Sequence, residues 1–149
     1  MAKKLKYRVA NPADIPDIFL LLIEMHKENG LAALDTTKTM MKIGELVKEG
    51  FVAVASNDDD EIVASVGAGV GQQWYSNDHH IGDYWMFVGK GYRRSMAAQK
   101  LIEMLRVFAR GVKLPLYVAI VSKQDTKRKN ALYRRRFKAI GESFMMEAR

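Results

Sequence analysis

Cysteine is absent from the 149 residues, so disulfides, thiolate nucleophiles and thiolate-bound zinc are all excluded. Proline is scarce, with three residues, and there is no long Ser/Gly tract, which leaves little room for a flexible linker. The apolar run at residues 19–23 is far too short to span a bilayer. The basic start Met1-Ala2-Lys3-Lys4-Leu5-Lys6 is not followed directly by an apolar stretch of signal-peptide length. A cytoplasmic protein with no membrane partner is therefore the expectation. What is plentiful is positive charge: 24 Lys and Arg against 17 Asp and Glu give a formal net charge of +7. That balance calls for an anionic partner, and nucleic acid, anionic lipid or an anionic cofactor would each meet it. The length favours one domain, 1–149, around one core.

Lys6–Val9 reads as a short strand, and Asn11-Pro12-Ala13-Asp14 as helix-start chemistry: a capping amide, an early proline and an acid. Ile15, Ile18, Phe19, Leu22, Ile23 and His26 recur at three- and four-residue spacing, which predicts a helix stopped by Gly30. A second helix is predicted over 36–48, with Met40, Ile43 and Val47 on one face. The period then changes. Residues 51–55 and 62–70 are β-prone around Asn57-Asp58-Asp59-Asp60, a hairpin. Gly67, Gly69 and Gly71 would weaken a strand interior, so they point to a bulge or to close approach of another backbone. Residues 81–88 form an aromatic-rich strand, and 93–110 a helix striped by Ala97, Leu101, Met104, Leu105 and Phe108. Residues 115–121 are a strongly apolar strand. Asp125 or Thr126 caps a basic helix to about Arg136, and 137–146 closes as a strand or hairpin. The order is β-α-α-β-β-β-α-β-α-β, an α/β (α+β) arrangement.

The segment after Val88 carries the first chemical signal. Gly89-Lys90-Gly91-Tyr92-Arg93-Arg94-Ser95-Met96-Ala97-Ala98 is flexible, then basic, then small. The first N–H groups of a helix lack intrahelical partners and carry partial positive charge, so a turn feeding such an end attracts anions. Arg93 and Arg94 add forked donors suited to phosphate, while Ala97 and Ala98 leave the first turn open to a bulky diphosphate.

With that turn and the order of elements, the chain resembles the GNAT family of acyl-CoA-dependent N-acetyltransferases. The family signature is a strand, a turn, then Gln/Arg-x-x-Gly-x-Gly/Ala opening a helix. Arg93-Arg94-Ser95-Met96-Ala97-Ala98 matches its first Arg and its last small residue; Met96 stands where the family has glycine, which crowds the approach. Asn130-Ala131-Leu132-Tyr133, followed by Phe137 and Ile140-Gly141-Glu142, is similar to the family's late Leu-Tyr helix, with Arg136 at a usual glycine position. The resemblance implies a GNAT-like domain with a mixed, mostly antiparallel central sheet and about four helices. It implies acetyl-CoA as co-substrate, held at Phe87, Val88, Arg93, Arg94, Ser95, Met96, Ala97, Ala98 and Asn130, between strands that splay near Val88 and Val121. It also implies Tyr133 as acid to the departing thiolate, and a phenol with pKa near ~10 suits that task.

Acetyl transfer also needs a neutral amine. Candidates for the base are His79, His80, Asp83 and Tyr84, with Asp83 the nearest match to the carboxylate that family members place on this strand. No third ligand accompanies the His-His pair, so no metal is expected. His26 and Asn29, with Trp74 and Tyr84, are candidates to line the acceptor pocket, which takes a small-molecule or peptide amine by direct attack in a ternary complex. Its few carboxylates disfavour a polyamine. Exposed strand edges and Met145 and Met146 suggest a homodimer. Two rival readings stand beside this one. Lys123, Lys127, Arg128, Lys129, Arg134, Arg135, Arg136 and Lys138 form a basic run suited to nucleic acid, although no nucleic-acid-binding signature accompanies it. A non-catalytic coenzyme A-binding protein of the same fold is the other.

Overall fold

A computed structural model describes residues 4–123 and 126–148; Asp125, one of the two expected caps, lies outside the described residues. The helix start at Asn11 forms as its chemistry requires. Its side chain accepts from the Ala13 N–H at 2.9 Å, while its own N–H donates to Asp14 at 2.8 Å, a reciprocal cap. The turn Pro12–Asp14 leads into α1 (Ile15–Asn29), which Gly30 ends by donating to the His26 carbonyl. Arg8 holds the Asp14 carboxylate at 2.6 and 2.9 Å and keeps its pKa below the usual value. Asp35 caps α2 (Thr36–Glu49) by accepting from Lys38.

One sheet follows in chain order: β1 (Lys6–Val9), β2 (Phe51–Ser56), β3 (Ile62–Gln72), β4 (His79–Val88) and β5 (Leu116–Tyr117). The first three pairings are antiparallel and the last is parallel. Helix α3 (Ala97–Gly111) covers one face, and α1 and α2 cover the other. Strand β2 is buried throughout because both faces are covered. Its Phe51, Ala53 and Ala55 meet Leu101 and Leu105 of α3, while Val52 and Val54 meet Ile18, Leu22, Ile43 and Leu46. Helix α4 (Thr126–Arg136) follows β5. This is the expected α+β class, with the predicted order met through the fourth helix.

Three details differ from expectation, each for a tertiary reason. Helix α3 starts at Ala97 rather than at Arg93, because Lys90–Tyr92 forms a separate 3-10 turn. The fifth strand is two residues long instead of seven, since β4 pairs with it only through Ile81 and Gly82. Residues 137–148 run as an irregular exposed segment where a closing strand was expected. A strand needs a partner edge as well as apolar residues, and Ile140, Phe144 and Met146 stay exposed.

Candidate active site

The site originates in a slip of register. Trp85 opposes Gly67 and Asp83 opposes Ala68, so Tyr84 is an extra residue on β4. Such a bulge exchanges the faces to which successive side chains point. Ile81 packs in the α3 cluster, yet so do Met86 and Val88, while Trp85 crosses to the α1–α2 cluster. Gly67 is needed here because a Cβ would collide with the Trp85 indole. The close approach expected at the glycines is thus made by a side chain. Trp85 Nε1 donates to Ser65 Oγ at 3.0 Å, and that hydroxyl donates to the Ala53 carbonyl at 2.9 Å, so the buried polar chain is satisfied.

Beyond Gly82 and Tyr117, β4 and β5 share no ladder among the described residues. A cavity of about 690 Å³ opens between them, a size that suits a ligand. Asp83 to Val88 form one wall and Ala119 to Ser122 the other. The end of α1, the start of α3 and one face of α4 close it.

Asp83 and Tyr133 both face this cavity. Burial pushes the Asp83 carboxyl up to about 6, against the opposing pull of backbone hydrogen bonds at Ala119 and at Asp83 itself. Burial also raises the Tyr133 hydroxyl above its ordinary value, and the Asp83 charge raises it further. The Asp83 charge is thus felt at the Tyr133 hydroxyl. Leu132 is buried and anchors α4, and the Tyr133 ring meets Phe137 edge-on at 5.6 Å.

At the α3 end, Ser95 Oγ donates to the Tyr92 carbonyl at 2.6 Å and accepts from the Ala97 N–H at 3.2 Å. Ser95, Ala98 and Gln99 line the cavity, whereas Ala97 is buried beneath it. Met96 lies outside the lining with 52 % of its surface exposed, so its side chain does not narrow the cleft as its position in the motif suggested. Arg94 is exposed and also outside the lining. Arg93 turns inward: Nε donates to the Val88 carbonyl at 3.1 Å, Nη2 pairs with Glu28 at 2.5 Å, and the guanidinium lies 5.5 Å from the Phe87 ring centre. Asn130 does not line the cavity; its amide donates back to the Thr126 carbonyl at 3.0 Å. Arg128, Lys129 and Arg135, from the basic run of the sequence, form a cationic rim on α4.

At the α1 end, His26 and Asn29 line the cavity as proposed from the sequence, with Met25 and Leu31, and Tyr84 joins them from the bulge. Asn29 Oδ1 accepts from the Lys123 N–H at 2.7 Å, and His26 Nε2 donates to the Ala32 carbonyl at 2.5 Å. Trp74 is not brought to this place. It is 95 % exposed, stacked edge-on against Tyr75 at 5.4 Å, outside the lining. His80 meets the Tyr117 ring rather than the cavity. Among the described residues no three His, Cys, Asp or Glu side chains could hold a metal, and no helix is long and apolar enough to cross a membrane. Sequence reasoning missed Glu24 and Glu28; their four-residue spacing on one helix face was the available signal.

Neither a protein-family model nor a curated protein sequence matches the chain. Solved structures do. The chain is similar to the aminoglycoside N-acetyltransferase AAC(6')-Iy in complex with CoA, with a TM-score of 0.75 at 11% identity over 100% of this chain and 97% of that one. It is similar to an acetyltransferase of Trypanosoma brucei, with a TM-score of 0.71 at 15% identity over 97% and 100%. The aminoglycoside 6'-N-acetyltransferase AAC(6')-Ih of Acinetobacter baumannii gives 0.70 at 12% over 98% and 99%. The chain has the GNAT fold that these acetyltransferases share.

Proposed function

We propose that the protein is an N-acetyltransferase, moving an acetyl group from acetyl-CoA to a primary amine by direct attack in a ternary complex. The observation that carries this reading is that Asp83 and Tyr133 both line the cleft where β4 and β5 part. The residues present suit the donor. Phe87, Val88, Ala98, Ala119 and Val121 offer apolar walls for a pantetheine arm. The start of α3 at Ser95 to Gln99, with the Arg128, Lys129 and Arg135 rim, suits its phosphates. When bound, the donor supplies an activated thioester carbonyl.

The chain's own groups then divide the proton work. Above about pH 6 Asp83 is ionised and accepts a proton from the incoming ammonium, directly or through water. Tyr133 stays protonated and donates to the departing sulfur, and the second proton that the nitrogen loses as the amide forms returns to the phenolate. The coupling has a useful sign. Once Asp83 takes the proton its charge is gone, and with it one of the causes that raise the Tyr133 pKa, so the phenol becomes a better acid just when the thiolate forms.

Among the described residues Asp83 is the only carboxylate that lines the cavity, beside Arg93, Arg128, Lys129 and Arg135. One carboxylate gives a single ammonium a partner and leaves further cationic groups without one, which favours an amine with a single positive charge. The aminoglycosides named for two of the structural neighbours are polycations, and this lining does not favour them here. The rival nucleic-acid reading rests on the basic residues of α4, yet three of them lie on the cleft rim, where a phosphorylated donor would occupy them.

The test is acetyl-CoA-dependent thiol release over a panel of amines, with wild type and Tyr133→Phe. Turnover with a monoamine is expected, and Tyr133→Phe should lose about 10²-fold in kcat while still being stabilised by acetyl-CoA. Thiol release that Tyr133→Phe does not impair would contradict the assignment. Stabilisation without turnover on any amine would support the non-catalytic reading.

A further inference from the structure

We infer that Arg93, the arginine that the turn motif offers as a phosphate ligand, is an internal tie, and that Glu28 is its positioning residue. Inside the protein the geometry engages two of the three nitrogens of the guanidinium. Its Nε is spent on the last carbonyl of β4, Val88, and its Nη2 on Glu28 of α1, with the Phe87 ring beneath. Both side chains of the ion pair are only 20% exposed. One turn earlier on the same face of α1, Glu24 accepts from the Lys90 N–H at 3.3 Å. Helix α1 thus grips the turn after β4 at two points four residues apart, and both acids touch the segment that delivers the chain to α3.

This places one device at both ends of the cleft. The turn it holds leads to Ser95 and Ala98 at the α3 end, and the helix end it holds carries His26 and Asn29 at the other. Cutting the tie should loosen both walls together. A phosphate ligand would behave differently: Glu28 would then be a competitor for Arg93, and its removal would favour donor binding. Lysine also separates the two roles, because it can supply a point charge to phosphate but cannot reach a carbonyl and a carboxylate with one planar fork.

The inference rests on the acetyltransferase reading for its donor but not for the tie, so two measurements are paired. In calorimetric melting of the ligand-free protein, Glu28→Ala and Arg93→Ala should each lower Tm by about 3 °C, and the double variant by no more than either. Additive losses would overturn the tie. In kinetics, Arg93→Lys and Glu28→Ala should raise KM about tenfold for both acetyl-CoA and the amine, with kcat held within about twofold. The loss in kcat/KM should be the same with acetyl-pantetheine, which lacks the phosphates. Titration calorimetry with CoA should show weaker binding to Glu28→Ala. Tighter CoA binding by Glu28→Ala, unaltered binding by Arg93→Lys, or a loss seen with acetyl-CoA alone would each restore Arg93 as a phosphate ligand. Absence of CoA binding in wild type would sink the acetyltransferase reading, while the melting cycle would still decide the tie.

Discussion

Helices α3 and α4 both border the cleft, and they are held there by different means. Helix α3 buries Ala97, Leu101, Ile102, Leu105 and Ala109 against the sheet, while α4 buries Leu132 alone and exposes a basic surface. The first is a structural member that also presents backbone N–H groups. The second carries Tyr133 and the cationic rim on a single apolar anchor. Burial of apolar surface contributes most of the stability of a helix on a sheet, so α4 is the looser of the two.

The comparison can be broken at α3 with the largest effect. Leu105→Ala empties a fully buried site and should cost about 3 kcal/mol, read as a Tm loss of roughly 10 °C. A loss under about 3 °C would mean that α3 is not the anchor. Next comes the carboxylate between the helices. Asp83→Asn should reduce turnover about 10²-fold and yet raise Tm at neutral pH. The sign follows from the raised pKa: ionising Asp83 costs folding stability, beginning at the unfolded value of 3.8 and complete above about 6. The gain in Tm should therefore vanish below pH 3.8 and reach a plateau above about 6. In wild type the same group predicts an acidic limb in the pH–rate profile near 6.

At α4 the expected cost is smaller and different in kind. Leu132→Ala should remove about 2 kcal/mol at most, but lower kcat disproportionately, because its neighbour Tyr133 loses its placing. A Leu132→Ala enzyme with normal kcat would show that Tyr133 is positioned from elsewhere. The smallest effect belongs to Trp74. It lies outside the cleft, so Trp74→Ala should change Tm by under ~0.5 kcal/mol equivalent and leave KM for the amine unaltered; a raised KM would bring the loop back into the acceptor site.

Local signals in the sequence located the elements that depend on local physics. The Asn11 cap, the Gly30 stop and the α3 stripe are each encoded within a turn or two of chain. That Asp83 and Tyr133 share one cleft lining was reachable only through the family resemblance, since fifty residues separate them and no periodicity links them. What stayed illegible depends on partners. Residues 115–121 are apolar throughout and so resemble one strand, but only Leu116 and Tyr117 find a ladder. The basic pair Arg93-Arg94 looked like two equal phosphate donors, whereas a carboxylate sixty-five residues upstream turns the first one inward. Met96 departs from the motif, yet its side chain faces solvent, a direction that the motif cannot specify.

The most direct measurement of the central claim is the melting temperature of the full chain with and without acetyl-CoA. At a concentration about a hundredfold above Kd, a ligand of the native cleft adds about 2.7 kcal/mol of stability, so Tm should rise by roughly 6 to 10 °C, and equally for Tyr133→Phe. An unchanged Tm at millimolar acetyl-CoA would contradict the assignment of this cleft to an acyl-CoA donor.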